Sequence, residues 1–170
     1  MTMSPGVRKL ALTVHVSTSV GWLGAVVVFL ALSIIGVTSP DAQTVRGVYL
    51  VMEPAGWFVL LPLSLLSLTT GIVQALGTAW GLLRHYWVLF KLLTTLFATI
   101  VLLTYMETFS ALASVAADPQ ADIALVRNPS PLIHSALAVL VLLVPMSLSV
   151  FKPRGKTRYG QKRLAARVPV

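Results

Sequence analysis

Four long apolar stretches, separated by polar segments, dominate the chain. They cover about residues 10–37, 55–76, 86–108 and 131–151. Each reaches or exceeds the ~20 residues that an α-helix needs to cross the ~30 Å hydrocarbon layer of a bilayer. The first stretch is also longer than the roughly 7–15 apolar residues of a cleavable signal. The pattern predicts an all-α polytopic membrane protein: a bundle of four transmembrane helices in one domain, residues 1–151, followed by a basic tail, residues 152–170.

The polar segment before the second stretch, residues 39–53, also has helical periodicity. Asp41 can cap a helix that begins near Ala42. Apolar side chains then recur at i, i+3, i+4 and i+7 spacing, at Val45, Val48, Tyr49 and Met52. Two interpretations fit: a short helix lying on the membrane surface, or a frayed first turn of the second span. Pro54 permits a helix start there, and Pro62 predicts a bend within the second span.

The segment between the third and fourth stretches, residues 110–131, contains two turn-forming pairs. Asp118-Pro119 and Asn128-Pro129 are dipeptides that break helices. Any continuation of the third helix beyond the lipid is therefore expected to end there. Pro131 suits the first turn of the fourth span, where its missing N–H costs nothing.

Composition and charge agree with a membrane class and add an orientation. The 170 residues are 56% hydrophobic and 11% charged, with a net charge of +8. Eleven of the 13 Lys and Arg residues lie at the N-terminus, between the second and third stretches, near the start of the third stretch, or in the tail. Arg46 and Arg127 share the opposite side with all five acidic residues. The positive-inside rule then predicts that both termini are cytoplasmic.

The basic tail favours anionic lipids as a partner over nucleic acid. Seven of its residues are Lys or Arg, and they follow an apolar stretch directly. Each cation near an anionic membrane surface contributes roughly 1 kcal/mol of attraction. The chain contains no Cys, which excludes disulfides, thiolate metal sites and iron–sulfur clusters.

One group of candidate site residues lies on the basic side of the predicted bundle: His15, Arg84, His85 and Lys91, with Gln74 nearby. Three interpretations remain open for it. Haem b could bind with His15 and His85 as axial ligands, and with Arg84 and Lys91 at its propionates. Arg84 and Lys91 could instead hold the phosphate of an anionic lipid. Finally, these residues could be interface anchors, with His15 a satisfied polar residue of the interior.

A second group, on the acidic side, suggests a metal. Met52, Met106 and His134 are ligand types that suit Cu(I), and Glu53 and Glu107 could gather cations nearby. The alternative is that both methionines fill apolar space at helix ends. The groups are too far apart for one iron to bind both His15 and His134, because their depths should differ by roughly 20 Å.

Small residues four apart indicate close helix packing. Gly21 with Ala25 and Gly71 with Ala75 let helix backbones approach one another, and the spans carry many Ser and Thr hydroxyls that can bond between helices. Ordinary packing within the bundle is the favoured interpretation. A homodimer interface is the alternative.

Three phrases of the sequence carry a family resemblance: HVSTSVGWLGA, LGTAWGLLRHYWVLFK and LSVFKPRGKTRYG. Together they resemble an uncharacterised family of small bacterial integral membrane proteins, and the likeness covers nearly the whole chain. It implies a four-helix, multi-pass protein of the bacterial plasma membrane. A looser similarity, in the first span and the four-helix layout, is to copper-resistance D-type and cytochrome b-like membrane proteins, whose chemistry would fall on His15 and His134.

The functional expectation is a small binding or accessory membrane protein without catalytic residues. Its ligand would be a lipid, a small molecule or a partner subunit of a membrane complex. The alternative is a haem b redox protein that uses His15 and His85, and the third candidate is a small transporter or metal-binding protein. Motifs for nucleotide binding, zinc proteolysis or a nucleophilic serine are absent from the sequence.

Overall fold

The computed structural model describes residues 3–78 and 80–165, and this part of the chain is helical throughout, apart from turns and one isolated β-bridge. The elements are α1 (Pro5–Thr38), α2 (Ala42–Ala55), a π-helical segment (Gly56–Leu60), α3 (Leu61–Leu76), α4 (Tyr86–Ala117), α5 (Ile123–Val126), α6 (Ser130–Phe151) and α7 (Arg158–Ala165). Four helical stretches are long and apolar enough to cross a membrane. The all-α class and the count of four are thus confirmed, while the helices extend past the predicted span limits.

The second span is longer than predicted because α2, the π-helical segment and α3 form one continuous helical stretch, Ala42–Leu76. The Asp41 carboxylate caps α2 as expected, accepting hydrogen bonds from the Thr44 hydroxyl and the backbone N–H groups of Thr44 and Gln43. The Thr44 hydroxyl, with these N–H groups, holds the pKa of the Asp41 carboxyl below its usual value. Pro54 lies inside α2, so the expected helix start at Pro54 is wrong.

Residues 42–55 are therefore part of the second span, which corrects the surface-helix interpretation. The four periodic side chains are buried against α1 and α4. The π-helical segment ends two residues before Pro62, which has no N–H to donate. Its wider turn, closed by the Leu61 N–H to the Gly56 carbonyl, is the local irregularity that appears where a bend was expected.

The third helix does continue past its apolar stretch, and it ends at Ala117, directly before Asp118-Pro119. Arg46 reaches this end from α2 and donates to four carbonyls, those of Val115, Ala116, Asp118 and Ala121. These oxygens include the carbonyls that a helix C-terminus leaves without intrahelical partners. Arg46 thereby ties the second span to the third.

The four spans form a ring around a central axis. On the side of α3, each helix contacts its two neighbours, in the order α1, α3, α4, α6 and back to α1. The diagonal pairs stay apart: among the described residues, no Cα of α1 lies within 8 Å of a Cα of α4, and the same holds for α3 and α6. The space along the axis is therefore filled by side chains or remains open as cavities.

The two ends of the ring fill this space differently. We call the end with the acidic residues the acidic end and the other the basic end. Toward the acidic end, large buried side chains pack around the axis, including Phe29, Tyr49, Met52, Met106 and Phe109. Phe29 and Phe109 meet edge to face, with ring centroids 5.4 Å apart. The basic end has few buried apolar side chains by comparison, Ala75 and Val88 among them.

Small residues and hydroxyls join α1 to α3, as the packing interpretation expected. A Cβ on Gly71 would touch the His15 ring, and one on Gly21 would touch Leu63. Ser19 and Ser67 share a hydrogen bond of 2.8 Å between their hydroxyls. These contacts place Gly21 and Gly71 in the packing between α1 and α3.

The start of the tail packs against the turn at residues 80–86 instead of extending from the bundle. The Thr157 hydroxyl donates to the Leu83 carbonyl over 2.6 Å, and the Thr157 N–H donates to the Arg84 carbonyl over 3.0 Å. Gly160 lies so close to the Arg84 carbonyl that a Cβ would overlap it. The tail is therefore attached to the bundle up to α7, and residues 166–170 lie outside the described part of the chain.

Candidate functional site

A cavity of about 550 Å³ opens at the basic end, between α1, α3, α4 and the end of α6. We call it the basic cavity. Four cationic residues line it, Arg8, Lys9, Lys91 and Lys152, and none of the described residues in its wall is acidic. Its volume lies within the ~300–1,000 Å³ usual for small-ligand sites. The cavity therefore has the size of a ligand site and a positive electrostatic field.

Lys91 is the cation of this cavity that lies deepest in a span. It is the sixth residue of α4 and only partly exposed. Its ammonium donates to the Ser149 hydroxyl, 2.5 Å away, and lies 5.9 Å from the centroid of the Trp87 ring. All five acidic residues belong to the other end of the bundle, so no carboxylate neutralises this charge. An ammonium has three N–H donors, and one hydroxyl does not use them all.

Three polar atoms around the same cavity are buried and have no hydrogen-bond partner: Gln74 Oε1, Thr78 Oγ1 and Trp87 Nε1. All three residues line the basic cavity. A buried polar group without a partner costs about 1–3 kcal/mol, and such groups are rare in native proteins. Each of the three atoms is almost fully enclosed, so a ligand in the cavity supplies the missing partners only after small rotations of these side chains.

His15 also lines the basic cavity and has one ring nitrogen engaged. Its Nδ1 lies 3.1 Å from the Thr70 hydroxyl, which itself donates to the Leu66 carbonyl. The hydroxyl proton is thus already committed, so the network assigns the imidazole proton to Nδ1.

The turn that leads into α4 carries an aromatic cluster at the mouth of the cavity. Trp80 packs edge to face on Trp87, with ring centroids 5.3 Å apart, and on His85, at 5.2 Å. His85 Nδ1–H donates to the Trp80 carbonyl over 2.8 Å. Gly81 has a φ of 64°, and a Cβ there would clash with the Arg84 side chain. Glycine thus permits both the left-handed backbone and the close approach of Arg84.

The predicted basic-side group is therefore only partly brought together. His15, Lys91 and Gln74 line the basic cavity, whereas Arg84 and His85 are not among the residues of its wall. A bis-histidine haem would need both imidazoles in one cavity, and the structure places one of them there. The haem interpretation of His15 and His85 remains a prediction without a matching cavity.

The acidic-side group is dispersed over two environments. Met52 and Met106 are almost completely buried in the apolar core. His134 is exposed, stacks on Tyr105 with ring centroids 4.1 Å apart, and donates from Nδ1 to the Ser130 carbonyl. Glu53 accepts a hydrogen bond from Ser110, and Glu107 is exposed. Within the described residues, no group of three or more His, Asp or Glu could hold a metal ion.

Sequence reasoning missed three of the cavity's cations as site residues: Arg8, Lys9 and Lys152. A signal for Arg8 was present, because Arg8 and His15 are seven residues apart and share one face of a helix. No comparable signal exists for Lys152, which follows α6 in a left-handed conformation with a φ of 42°. Its position depends on how α6 ends against α1 and α4.

Comparisons of the chain with protein-family models, with curated proteins and with solved structures return no significant match. The fold and the cavity thus define a class only: an all-helical protein whose four longest helical stretches could cross a membrane, with a cationic cavity at one end. The resemblance to small bacterial membrane proteins remains a prediction.

Proposed function

We propose that this protein binds an anionic ligand, through a phosphate or carboxylate group, in the basic cavity. The observation that carries the proposal is the convergence of unsatisfied groups in one place. A cationic wall without carboxylates surrounds three buried polar atoms that lack partners. An anion there neutralises charge and satisfies donors at the same time, which neither water nor a cation does.

The available donors suit an anion in kind as well as in charge. Lys91 offers the N–H groups that Ser149 does not use, and Trp87 offers its indole N–H, which can only donate. The Thr78 hydroxyl can donate as well. Gln74 can also donate, because a rotation of its side-chain amide places the N–H groups where the oxygen lies. Charge-assisted hydrogen bonds to phosphate are roughly twice as strong as neutral ones.

The proposal includes the setting of the site. The basic end faces the cytoplasm and the protein is a multi-pass protein of the bacterial plasma membrane, since the cations gather at one end and the acids at the other. The basic cavity then opens among the phosphates of the inner leaflet, where anionic lipids also attract the tail. In this proposal the protein acts by binding, as an accessory or ligand-holding membrane protein.

Lys91→Met tests this function, with dodecyl phosphate as the probe in neutral maltoside micelles. Methionine keeps the length and apolar stem of the side chain but removes the charge. Loss of one charge-assisted contact of about 1.5–3 kcal/mol should weaken binding about 10- to 100-fold in a calorimetric titration. Zwitterionic dodecyl phosphocholine, with the same chain, should bind weakly to both proteins.

Lys156→Met is the matched control. Lys156 is exposed in the tail and does not line the basic cavity, so its loss should leave the affinity within about twofold. Equal weakening by both substitutions would show a diffuse attraction to the basic end and no specific site.

A further inference from the structure

A second cavity, of about 320 Å³, lies next to the basic cavity in the direction of the acidic end. We call it the apolar cavity. Its wall is almost entirely hydrocarbon and aromatic, from α1 (Trp22, Val26, Phe29), α4 and α6. The polar side chains in the wall are Tyr105, His134 and Ser135, and the first two already share hydrogen bonds with Ser130. Such a wall suits a hydrocarbon chain.

The two cavities follow one another along the same helices. On α4, Thr95 lines the basic cavity, while Phe97 and Ala98 line the apolar one. Two residues of helix correspond to a rise of only ~3 Å. On α1, the step from Val16 to Trp22 amounts to ~9 Å. The axis between α1 and α4 is the space that the ring leaves without direct helix contact.

The apolar cavity is accessible from the side, where a bilayer would surround the bundle. Phe97 on α4 and Leu137 on α6 belong to its wall, yet 61% and 55% of their respective surfaces are exposed. The apolar cavity therefore lies close to the outer surface of these two helices, which a bilayer would cover.

We propose that the ligand is a long-chain anionic lipid, with its charged head in the basic cavity and one hydrocarbon chain in the apolar cavity. This inference rests on the proposed function, because it needs the anion site to hold the head. It specifies the ligand class: the phosphate belongs to a membrane amphiphile and not to a water-soluble metabolite.

Dodecyl phosphate and glycerol phosphate, which has no hydrocarbon chain, distinguish a membrane amphiphile from a water-soluble metabolite. The variant Ala138→Phe fills the apolar cavity, which Ala138 lines from α6. The wild-type protein should bind dodecyl phosphate at least about tenfold more tightly than glycerol phosphate, and Ala138→Phe should remove that preference. Its affinity for glycerol phosphate should not change. Ala31→Phe, at an exposed position of α1, is the matched control and should preserve the preference.

Ala98→Leu, on the opposite wall, is the second variant if Ala138→Phe lacks the helical circular dichroism of the wild type. A folded variant that keeps the full preference would place the chain elsewhere and refute this inference. Equal wild-type affinity for both probes would assign the site to a soluble anion. Both results leave the proposed function intact if Lys91→Met still weakens binding. If Lys91→Met changes neither affinity, the proposed function fails, and this inference fails with it.

Discussion

At the scale of single residues, Arg46 and Lys91 are two cations inside the spans that differ in their hydrogen-bond partners. Arg46 directs its guanidinium at four backbone carbonyls, two of them within 2.7 Å. Lys91 has one hydroxyl and the face of an indole. A charge that leaves water at such depth is costly unless it is paired. Arg46 meets this requirement with backbone carbonyls, whereas Lys91 has only the Ser149 hydroxyl and the Trp87 ring beside it.

The sequence could predict the depth of these residues but not their partners. Lys91 interrupts an apolar stretch, which was enough to mark it as a candidate. The partners of Arg46 are backbone carbonyls about 70 positions away along the chain. Every residue type has a backbone carbonyl, so the sequence does not identify these partners. The missing partners of Gln74, Thr78 and Trp87 are equally invisible in a sequence, because they depend on where α4 stands against α3.

At the scale of elements, apolar length predicted each span, and local chemistry predicted several helix ends. Asp41 begins α2 and Asp118-Pro119 ends α4, as those residue types favour. Pro54 was misleading as a predicted helix start, because a proline inside a helix removes one hydrogen bond but need not interrupt a helix that neighbouring packing holds. Here α2 and the π-helical segment that follows it both pack against α1 and α4, and the helical stretch continues through Pro54.

The attachment of the tail to the turn at residues 80–86 gives a prediction at this scale. Gly160→Ala should detach α7, since any Cβ would overlap the Arg84 carbonyl, whereas Gly155→Ala meets only an ordinary contact with Tyr86. Trypsin should then cleave after Arg158 several-fold faster in Gly160→Ala than in the wild type, because cleavage tracks the population of the open segment. Gly155→Ala should match the wild type. Equal cleavage of all three proteins would mean that this attachment does not hold the tail.

At the scale of the whole molecule, charge is distributed unevenly along the axis of the ring of four spans, as the sequence predicted. Cations gather at the end where the axis is open, and acids gather where aromatic side chains fill it. The number of spans and the separation of charge could be predicted from the sequence. The two stacked cavities could not, because they depend on which diagonal pairs stay apart.

The orientation of this axis can be tested by cysteine labelling, for which the chain has no background because it contains no Cys. Single cysteines at Gln43 and Gln120, exposed at the acidic end, should react with a membrane-impermeant maleimide on intact cells. Cysteines at Ser4 and Arg154, exposed at the basic end, should react only after permeabilisation. The reverse pattern would place the basic cavity outside the cell.

The Trp87 indole tests the central claim most directly, since its N–H is buried without a partner in the wall of the basic cavity. The chain has four Trp, so the indole N–H signals of labelled protein can be resolved by NMR, and Trp87→Phe assigns the relevant one. Addition of dodecyl phosphate should move the Trp87 signal downfield as the phosphate accepts a hydrogen bond from the indole N–H. The signal of Trp57, in the π-helical segment far from the basic cavity, should stay in place. A Trp87 signal that does not move at saturating probe, or that moves no more than the Trp57 signal, would contradict an anion site in this cavity.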